Sequence, residues 1–412
     1  MASACVPICS TGTLISDNFT QFFLKKHTIF YGISTVFVSQ WLMDNELFYG
    51  IALSLLKGIG DANAKWLISH AGSAEKVFKL SPVRLQKING VGPKLAAEFA
   101  DTKDALKRAE RELNFIERHK IDTLFYNDKR YPKRLLNCAD APLYIFCKGN
   151  FDFNKDRFVN IVGTRHATEY GREITENLIA ELAKYQVNLV SGLAFGIDIC
   201  AHKTALKYDM QNIAVLAHGL DRIYPAQHRG VAEKLQENGA LVTDFMSETN
   251  PDRQNFPRRN RIVAGMTDAT IVVESAIAGG ALITAEIANT YNKDVYAFPG
   301  KVTDDFSQGC LKLIKQHKAQ LVTCAKDIIE SLNWDMENQP IKKTNIQSSL
   351  FIEMDEQEKP VYELLKEHDR IHIDELSLKT QMTLGTLSSL LLQMEMKGWI
   401  TSLPGKMYKI SF

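Results

Sequence analysis

Short β-branched runs alternating with helical patterns between Phe158 and Pro299 predict an α/β fold, a Rossmann-like, doubly wound sheet of mostly parallel strands. Three observations carry this expectation. The apolar runs are continuous rather than alternating, which marks strands buried on both faces. Each run ends in glycines or small hydroxyls and is followed by a helix-period segment, the rhythm of βαβ units. The chain has 412 residues, 45% of them apolar and 24% charged, ordinary globular material with room for flanking modules.

Residues 1–42 mix Ser, Thr and Phe with almost no charge and lack the basic flank and continuous apolar run of a signal peptide. They read as a non-native or disordered leader. Met43 reads as the natural start, where an amphipathic helix opens.

Residues 43–125 form a helical module. Leu56-Lys-Gly-Ile-Gly60 precedes Ala62–Ile68, and Ile88-Asn-Gly-Val-Gly92 precedes Pro93–Phe99. Each reads as helix, Gly-x-Gly hairpin, helix, and resembles the helix-hairpin-helix or SAM-like motif, whose hairpin amides can grip a nucleic-acid phosphate. Plain packing modules share the pattern, so it speaks to fold more than to function. A helix from Lys103 to Lys120 closes the module.

Residues 126–330 hold the predicted sheet. Strands are expected at 158–162, 188–190, 213–217, 240–243, 269–273 and 295–298, with helices at 169–185, 196–208, 229–238, 259–266 and 282–291. In such sheets ligands bind beyond the carboxyl ends of the strands. The informative residues fall there: Gly163-Thr164-Arg165, the run Ser191-Gly192 to Gly196-Ile-Asp198, Gly219–Pro225, Glu274–Thr284 and Pro299-Gly300. Glycines let backbone amides approach an anion, and Arg165 adds a cation at the same rim. Phe256-Pro-Arg258-Arg259-Asn260-Arg261, placed at a helix start, supplies planar donors for phosphate beside an aromatic ring. Structural Arg–carboxylate pairs are the plainer reading of the same run.

The frame carries neither a G-x-G-x-x-G cofactor fingerprint nor a G-x-x-x-x-G-K-[ST] loop, so no dinucleotide or ATP cofactor is expected. Asp198, His202, His218, Asp221 and Glu286 are the eligible acids and bases. Asp198 and His202, four apart on one helix, read as a capping carboxylate and a structural hydrogen bond. Ser191 lacks a nucleophile elbow. Gly279-Gly-Ala-Leu-Ile-Thr-Ala-Glu286 resembles, with imperfect spacing, the glycine-rich loop of nucleotide phosphoribohydrolases, which makes a nucleotide-cleaving enzyme the rival reading.

Residues 331–355 are a polar linker, and 356–412 read as a winged helix with helices at 360–367, 373–380 and 383–397 and a hairpin at 399–410. The helix from Thr383 carries one cation, Lys397, at its far end, unlike a major-groove reader. Protein contact or a structural cap is therefore favoured over a duplex-binding regulator.

Taken in order, Gly-Thr-Arg165, Ser191-Gly-Leu-Ala-x-Gly-Ile-Asp-x-x-Ala-His202, Gly219-Leu-Asp-x-x-Tyr-Pro225, Phe256-Pro-x-Arg-Asn-Arg-Ile-x-Ala-Gly265, Leu282-Ile-Thr-Ala and Pro299-Gly300 resemble the DprA/Smf family from Met43 to Phe412. That resemblance implies a cytoplasmic, non-catalytic protein of natural transformation that binds single-stranded DNA, protects it and loads the RecA recombinase. It also implies a homodimer formed through the Rossmann-like domain. Carried over by motif, Gly163, Thr164, Arg165, Ser191, Gly192, Gly196, Phe256, Arg258, Arg259, Asn260 and Arg261 would bind the strand. Thr164 replaces the family's usual Ser, His228 an Asn, and Leu311 an Asn.

Charge and cysteine usage fit this picture. Lys and Arg outnumber acids 18 to 13 in residues 43–150, against 20 to 22 in 151–330 and 9 to 12 in 331–412. A near-neutral central domain needs a local patch to hold nucleic acid, and the arginine run supplies one. Seven cysteines without C-x-x-C spacing suit a reduced compartment and no zinc site.

Overall fold

The computed structural model describes residues 35–334, 355, 358–368, 370–397, 399–403 and 406–410, which divide into two compact units meeting at Trp334/Asp335. The first unit begins with α1 (Thr35–Ser54), so the helix expected to open at Met43 starts earlier and runs through that boundary. Then come α2 (Asp61–Ala71), α3 (Ala74–Lys79), α4 (Pro82–Leu85), α5 (Pro93–Ala97) and α6 (Lys103–His119). Ser73 and Ser81 cap α3 and α4, and Pro82 and Pro93 sit in first turns where no donor is lost. Leu53, Leu67, Val77, Leu85 and Ala109 are buried in the core of this module.

Two antiparallel strands missing from the sequence reading, β1 (Asp122–Phe125) and β2 (Tyr144–Asn150), join the module to the sheet. Their side chains divide by strand alternation. Leu124, Ile145 and Cys147 enter the sheet core, while Phe125, Tyr144 and Phe146 enter the helical core. The boundary expected at 125/126 thus falls at the end of a strand that belongs to both layers.

The sheet has nine strands in the order β1-β2-β6-β5-β4-β3-β7-β8-β9, with β3 (Phe158–Val162), β4 (Asn188–Ser191), β5 (Asn212–Val215), β6 (Gly239–Thr243), β7 (Ala269–Val272), β8 (Asp294–Ala297) and β9 (Gln320–Leu321) parallel. One face is covered by α7 (Lys133–Leu136), α11 (Asn255–Gly265), α12 (Gly280–Thr290) and α13 (Gln308–Lys315). The other is covered by α8 (Glu169–Ala183), α9 (Ile197–Lys207) and α14 (Ala325–Ser331), and α10 (Arg229–Leu235) closes a smaller cluster beside β5 and β6. Each central strand is fully buried, as its continuous apolar run required. From β3 the chain winds one way to β4, β5 and β6, then from β7 the other way. The switch point therefore lies beyond the ends of β3 and β7.

The second unit has α15 (Glu358–Glu367), β10 (Ile371–His372), α16 (Ile373–Thr380), α17 (Leu384–Met396) and a hairpin of β11 (Ile400–Leu403) and β12 (Met407–Ile410), with β12 central in the three-stranded sheet. This is the expected winged-helix order. The leader up to residue 34, most of the linker and the Pro404-Gly405 turn lie outside the described residues.

Candidate nucleic-acid interface

Gly163-Thr164-Arg165 leaves β3 at the switch point. The Thr164 amide donates to the Glu274 carbonyl at 2.8 Å, tying this turn to the one after β7. The buried Glu274 carboxylate accepts from the Thr168 amide at 3.0 Å and from the Thr168 hydroxyl, pinning the start of α8. The loop after β4 folds onto the same turn. Gly196, with φ +77° and ψ −122°, lies so close that a Cβ would meet the Thr164 carbonyl oxygen at 2.1 Å. Only glycine fits both the dihedrals and the contact.

A buried polar network holds this loop from below. Asp198 accepts from the Gly192 and Ala194 amides at 3.1 and 3.4 Å. His202 Nε2 accepts from the Leu193 amide at 3.3 Å, while its Nδ1 faces Asn212 Oδ1 at 2.6 Å. Because Nε2 accepts, the proton belongs on Nδ1. Burial lowers the His202 pKa to about 4. His228, buried where the family pattern has Asn, faces the Leu193 carbonyl at 2.8 Å through Nδ1, and its ring backs the exposed Phe195 ring at 4.9 Å.

Arg259 closes the network. Its guanidinium donates to the Gly192 carbonyl at 2.8 Å and to the Val215 carbonyl, and Nε donates to Asn260 Oδ1 at 3.1 Å. Burial pulls its pKa down to about 10, against the field of Asp198. Burial likewise raises Asp198, and the Arg259 charge and the two loop amides oppose that rise.

Aromatic rings and the Arg165 cation lie at the exposed surface of the rim. The Arg165 guanidinium lies over the Phe256 ring at 5.0 Å, and Tyr224 meets that ring edge-on at 6.2 Å. Tyr224 and Phe195 are 43% and 41% exposed, enough to offer ring faces to a ligand. Neither was singled out in the sequence. For Phe195 the available signal was an aromatic between two glycines directly after a strand, and for Tyr224 an aromatic before a proline in the loop after β5.

The arginine run divides across α11. Helix α11 starts at Asn255, four residues before the expected 259, because Pro257 is tolerated in a first turn. Phe256 faces Arg165, whereas Arg258 is exposed on another side, over Phe245 at 5.1 Å. Arg259 and Arg261, expected to touch the strand, are occupied internally. Arg259 is 4% exposed, and Arg261 pairs with Asp61 at 2.9 Å and Asp244 at 2.6 Å and donates to the Asp140 carbonyl at 2.6 Å. Ser191 is buried as well, donating to the Ile161 carbonyl at 2.7 Å. Desolvation explains all three placements: a buried donor is retained where carbonyls or carboxylates take its hydrogens. Gly163, Thr164, Arg165, Gly196 and Phe256 come together at the rim, whereas Gly192, expected there, is buried with its amide given to Asp198 and its carbonyl to Arg259, and Asn260 accepts from Arg259 Nε.

The acids and bases open to a catalytic reading are held in structural contacts. His218 accepts from the Tyr224 amide on Nε2 and faces the Gly219 carbonyl on Nδ1, and Asp221 pairs with Arg222 at 2.7 Å. Glu286 lies exposed on α12, paired with Lys318 at 2.9 Å. Among the described residues no cluster suited to a metal ion occurs, and no helix is long and apolar enough to cross a membrane. In the second unit, the one cation at the end of α17, Lys397, is taken by the buried Glu358 at 2.6 Å. Leu384, Leu392 and Met396 are instead exposed along that helix.

Comparison with known proteins agrees with this architecture. Residues 122–333 match the family model of DNA recombination-mediator protein A, and residues 350–406 match that of the DprA winged helix domain. Protein Smf of Synechocystis sp. is 29% identical over 401 residues, covering 89% of this chain and 100% of that protein. DNA processing protein DprA of Bacillus subtilis is 34% identical over 253 residues, covering 61% of this chain and 84% of that protein. The X-ray structure of DNA processing protein A from Streptococcus pneumoniae superposes with a TM-score of 0.60 at 30% identity, covering 69% of this chain and 97% of that one. With half of its length matching the family model, the chain belongs to the DprA/Smf family of DNA-processing recombination mediators.

Proposed function

We propose that the rim built by Gly163–Arg165, Ala194–Gly196 and Phe256 binds single-stranded DNA, and that the chain is a non-catalytic mediator. The observation that carries this reading is the Arg165 guanidinium over the Phe256 ring, with the exposed Tyr224 ring set edge-on against Phe256. A cation beside ring faces suits a phosphate and unstacked bases, a combination that a paired duplex does not offer and that selects no sequence. The structural engagement of Asp198, His202, His218, Asp221 and Glu286 favours binding over turnover.

On this reading the protein works in the cytoplasm, shields a single strand and delivers it to RecA, acting as a homodimer. The test is a salt titration of binding to labelled poly-dT and to a duplex of equal length, with Arg165→Ala and Phe256→Ala beside the parent. The reading requires tight, salt-sensitive binding to the single strand that both substitutions weaken. Preference for the duplex, or indifference to both substitutions, refutes it. Faster RecA filament growth on strands coated by a competing single-strand binder tests the delivery step.

A further inference from the structure

The helical module carries a cavity that the rim does not use. It is an open hollow with room for about 380 Å³, lined by Asn63, Trp66, Leu67, Asn89, Gly90, Val91 and Leu95. The two Gly-x-Gly hairpins meet here. Leu95, just past the second hairpin, lies 3.5 Å from where a Cβ on Gly58 of the first would stand. Trp66 Nε1 donates to the Asn89 carbonyl at 2.8 Å, and the His70 ring packs on the indole at 4.1 Å. The indole is thus fixed from two sides while 47% exposed, although it is large and apolar.

The lining has one chemical sense. Leu67, Val91, Leu95 and the indole provide flat apolar contact. Asn63 donates to the Gly58 carbonyl at 3.2 Å, which leaves its side-chain oxygen to accept. The Asn89 side-chain amide has no hydrogen-bond partner among the described residues. Paired amide groups around an aromatic floor suit the edges and face of a nucleobase.

The surrounding charge points the same way. Residues 55–95 contain seven Lys and Arg against two acids. Both acids are spent within the protein: Asp61 accepts from the Leu143 amide and pairs with Arg261, and Glu75 pairs with Lys79. Lys57, Arg84, Lys87 and Lys94 are exposed around the hairpins and form no ion pair among the described residues.

We infer that this cavity is a second single-strand site, seating a nucleobase against Trp66 while Lys87 and Lys94 hold the flanking phosphates. The inference rests on the single-strand reading of the rim and extends it: one long strand engages both the rim and the hairpin cavity. A short strand occupies the rim alone.

The test uses the full chain and a long oligothymidylate containing 5-iodouracil, irradiated in complex and mapped by mass spectrometry. Adducts on Trp66, persisting in Arg165→Ala, are the expected result. Adducts on Phe256, Tyr224 or Phe195 without any on Trp66 overturn the cavity site and leave the rim reading standing. Adducts on Trp66 alone refute the rim reading and, with it, the path of one strand across both sites. As a second arm, Lys87→Glu with Lys94→Glu, both on exposed residues, should weaken long-strand binding about tenfold and leave short-strand binding unchanged. Equal affinity of this variant and the parent for the long strand overturns the site.

Discussion

The guanidinium of Arg259 donates to the carbonyl oxygen of Gly192 at 2.8 Å and fills the space that a side chain on Gly192 would need, since an added Cβ would stand 2.6 Å from a guanidinium nitrogen. That guanidinium is also held by the Val215 carbonyl, so it has little freedom to withdraw. Gly192→Ala should therefore cost about 1–3 kcal/mol by overpacking. The urea unfolding midpoint measures this, and an unchanged midpoint would show that the loop yields freely.

Arg165 and Arg259 both lie beside Phe256 but have opposite duties. Arg165→Ala removes an exposed cation and should weaken single-strand binding, lowering the salt slope by roughly 0.7 with no change in unfolding. Arg259→Ala leaves the Gly192 and Val215 carbonyls without this donor and removes the charge that favours ionised Asp198, and should destabilise the fold by roughly 2–5 kcal/mol. Finding the stability loss at Arg165, or none at Arg259, would reverse the assignment.

How much of this could be read in advance turns on α11. Counted from Asn255, the buried positions Arg259, Ile262, Val263 and Met266 form one helical stripe, so the inward aim of Arg259 is written in the spacing. A helix begun at 259 hides that register, and the run then looks like a uniform cationic patch. Arg261 is different. Its partners Asp61 and Asp244 lie 200 and 17 positions away, and only tertiary structure brings them together. The central strands were legible because burial on both faces leaves continuous apolar runs. Strands β1 and β2 were not, because each divides its side chains between two cores and Pro142 precedes the second.

Arg261 links the first residue of α2 to the residue after β6, Asp244, whose side chain is 7% exposed. Arg261→Ala removes the paired counter-charge of that carboxylate, leaving only the weaker influence of Arg258, and should cost about 3 kcal/mol. Adding Asp244→Ala should restore part of the loss. A double-mutant cycle on unfolding free energy reads the coupling, and strict additivity would mean that the pair contributes nothing.

His202 sets an acid limit on the fold. Its folded pKa of about 4 lies below the ordinary 6.5, so between these values the unfolded chain binds more protons. Its contribution is therefore complete above 6.5 and declines as pH falls toward 4, a loss on the order of 2 kcal/mol at pH 5. Unfolding at pH 5 and pH 7, with the parent and His202→Gln, isolates this share. The variant should show the shallower dependence, and identical dependences would assign the acid sensitivity elsewhere.

The winged helix should contribute nothing to holding phosphates. Its would-be recognition helix exposes Leu384, Leu392 and Met396, and Lys397 at its end is consumed by Glu358. Phosphate binding needs free cations, so this helix should add nothing to the electrostatic part of DNA binding. A chain ending at Trp334, where the first compact unit closes, should hold poly-dT with unchanged affinity and salt slope. A slope lower by one or more contacts would place part of the nucleic-acid surface on the second unit. Unchanged binding would leave the apolar face of α17 free for a protein partner.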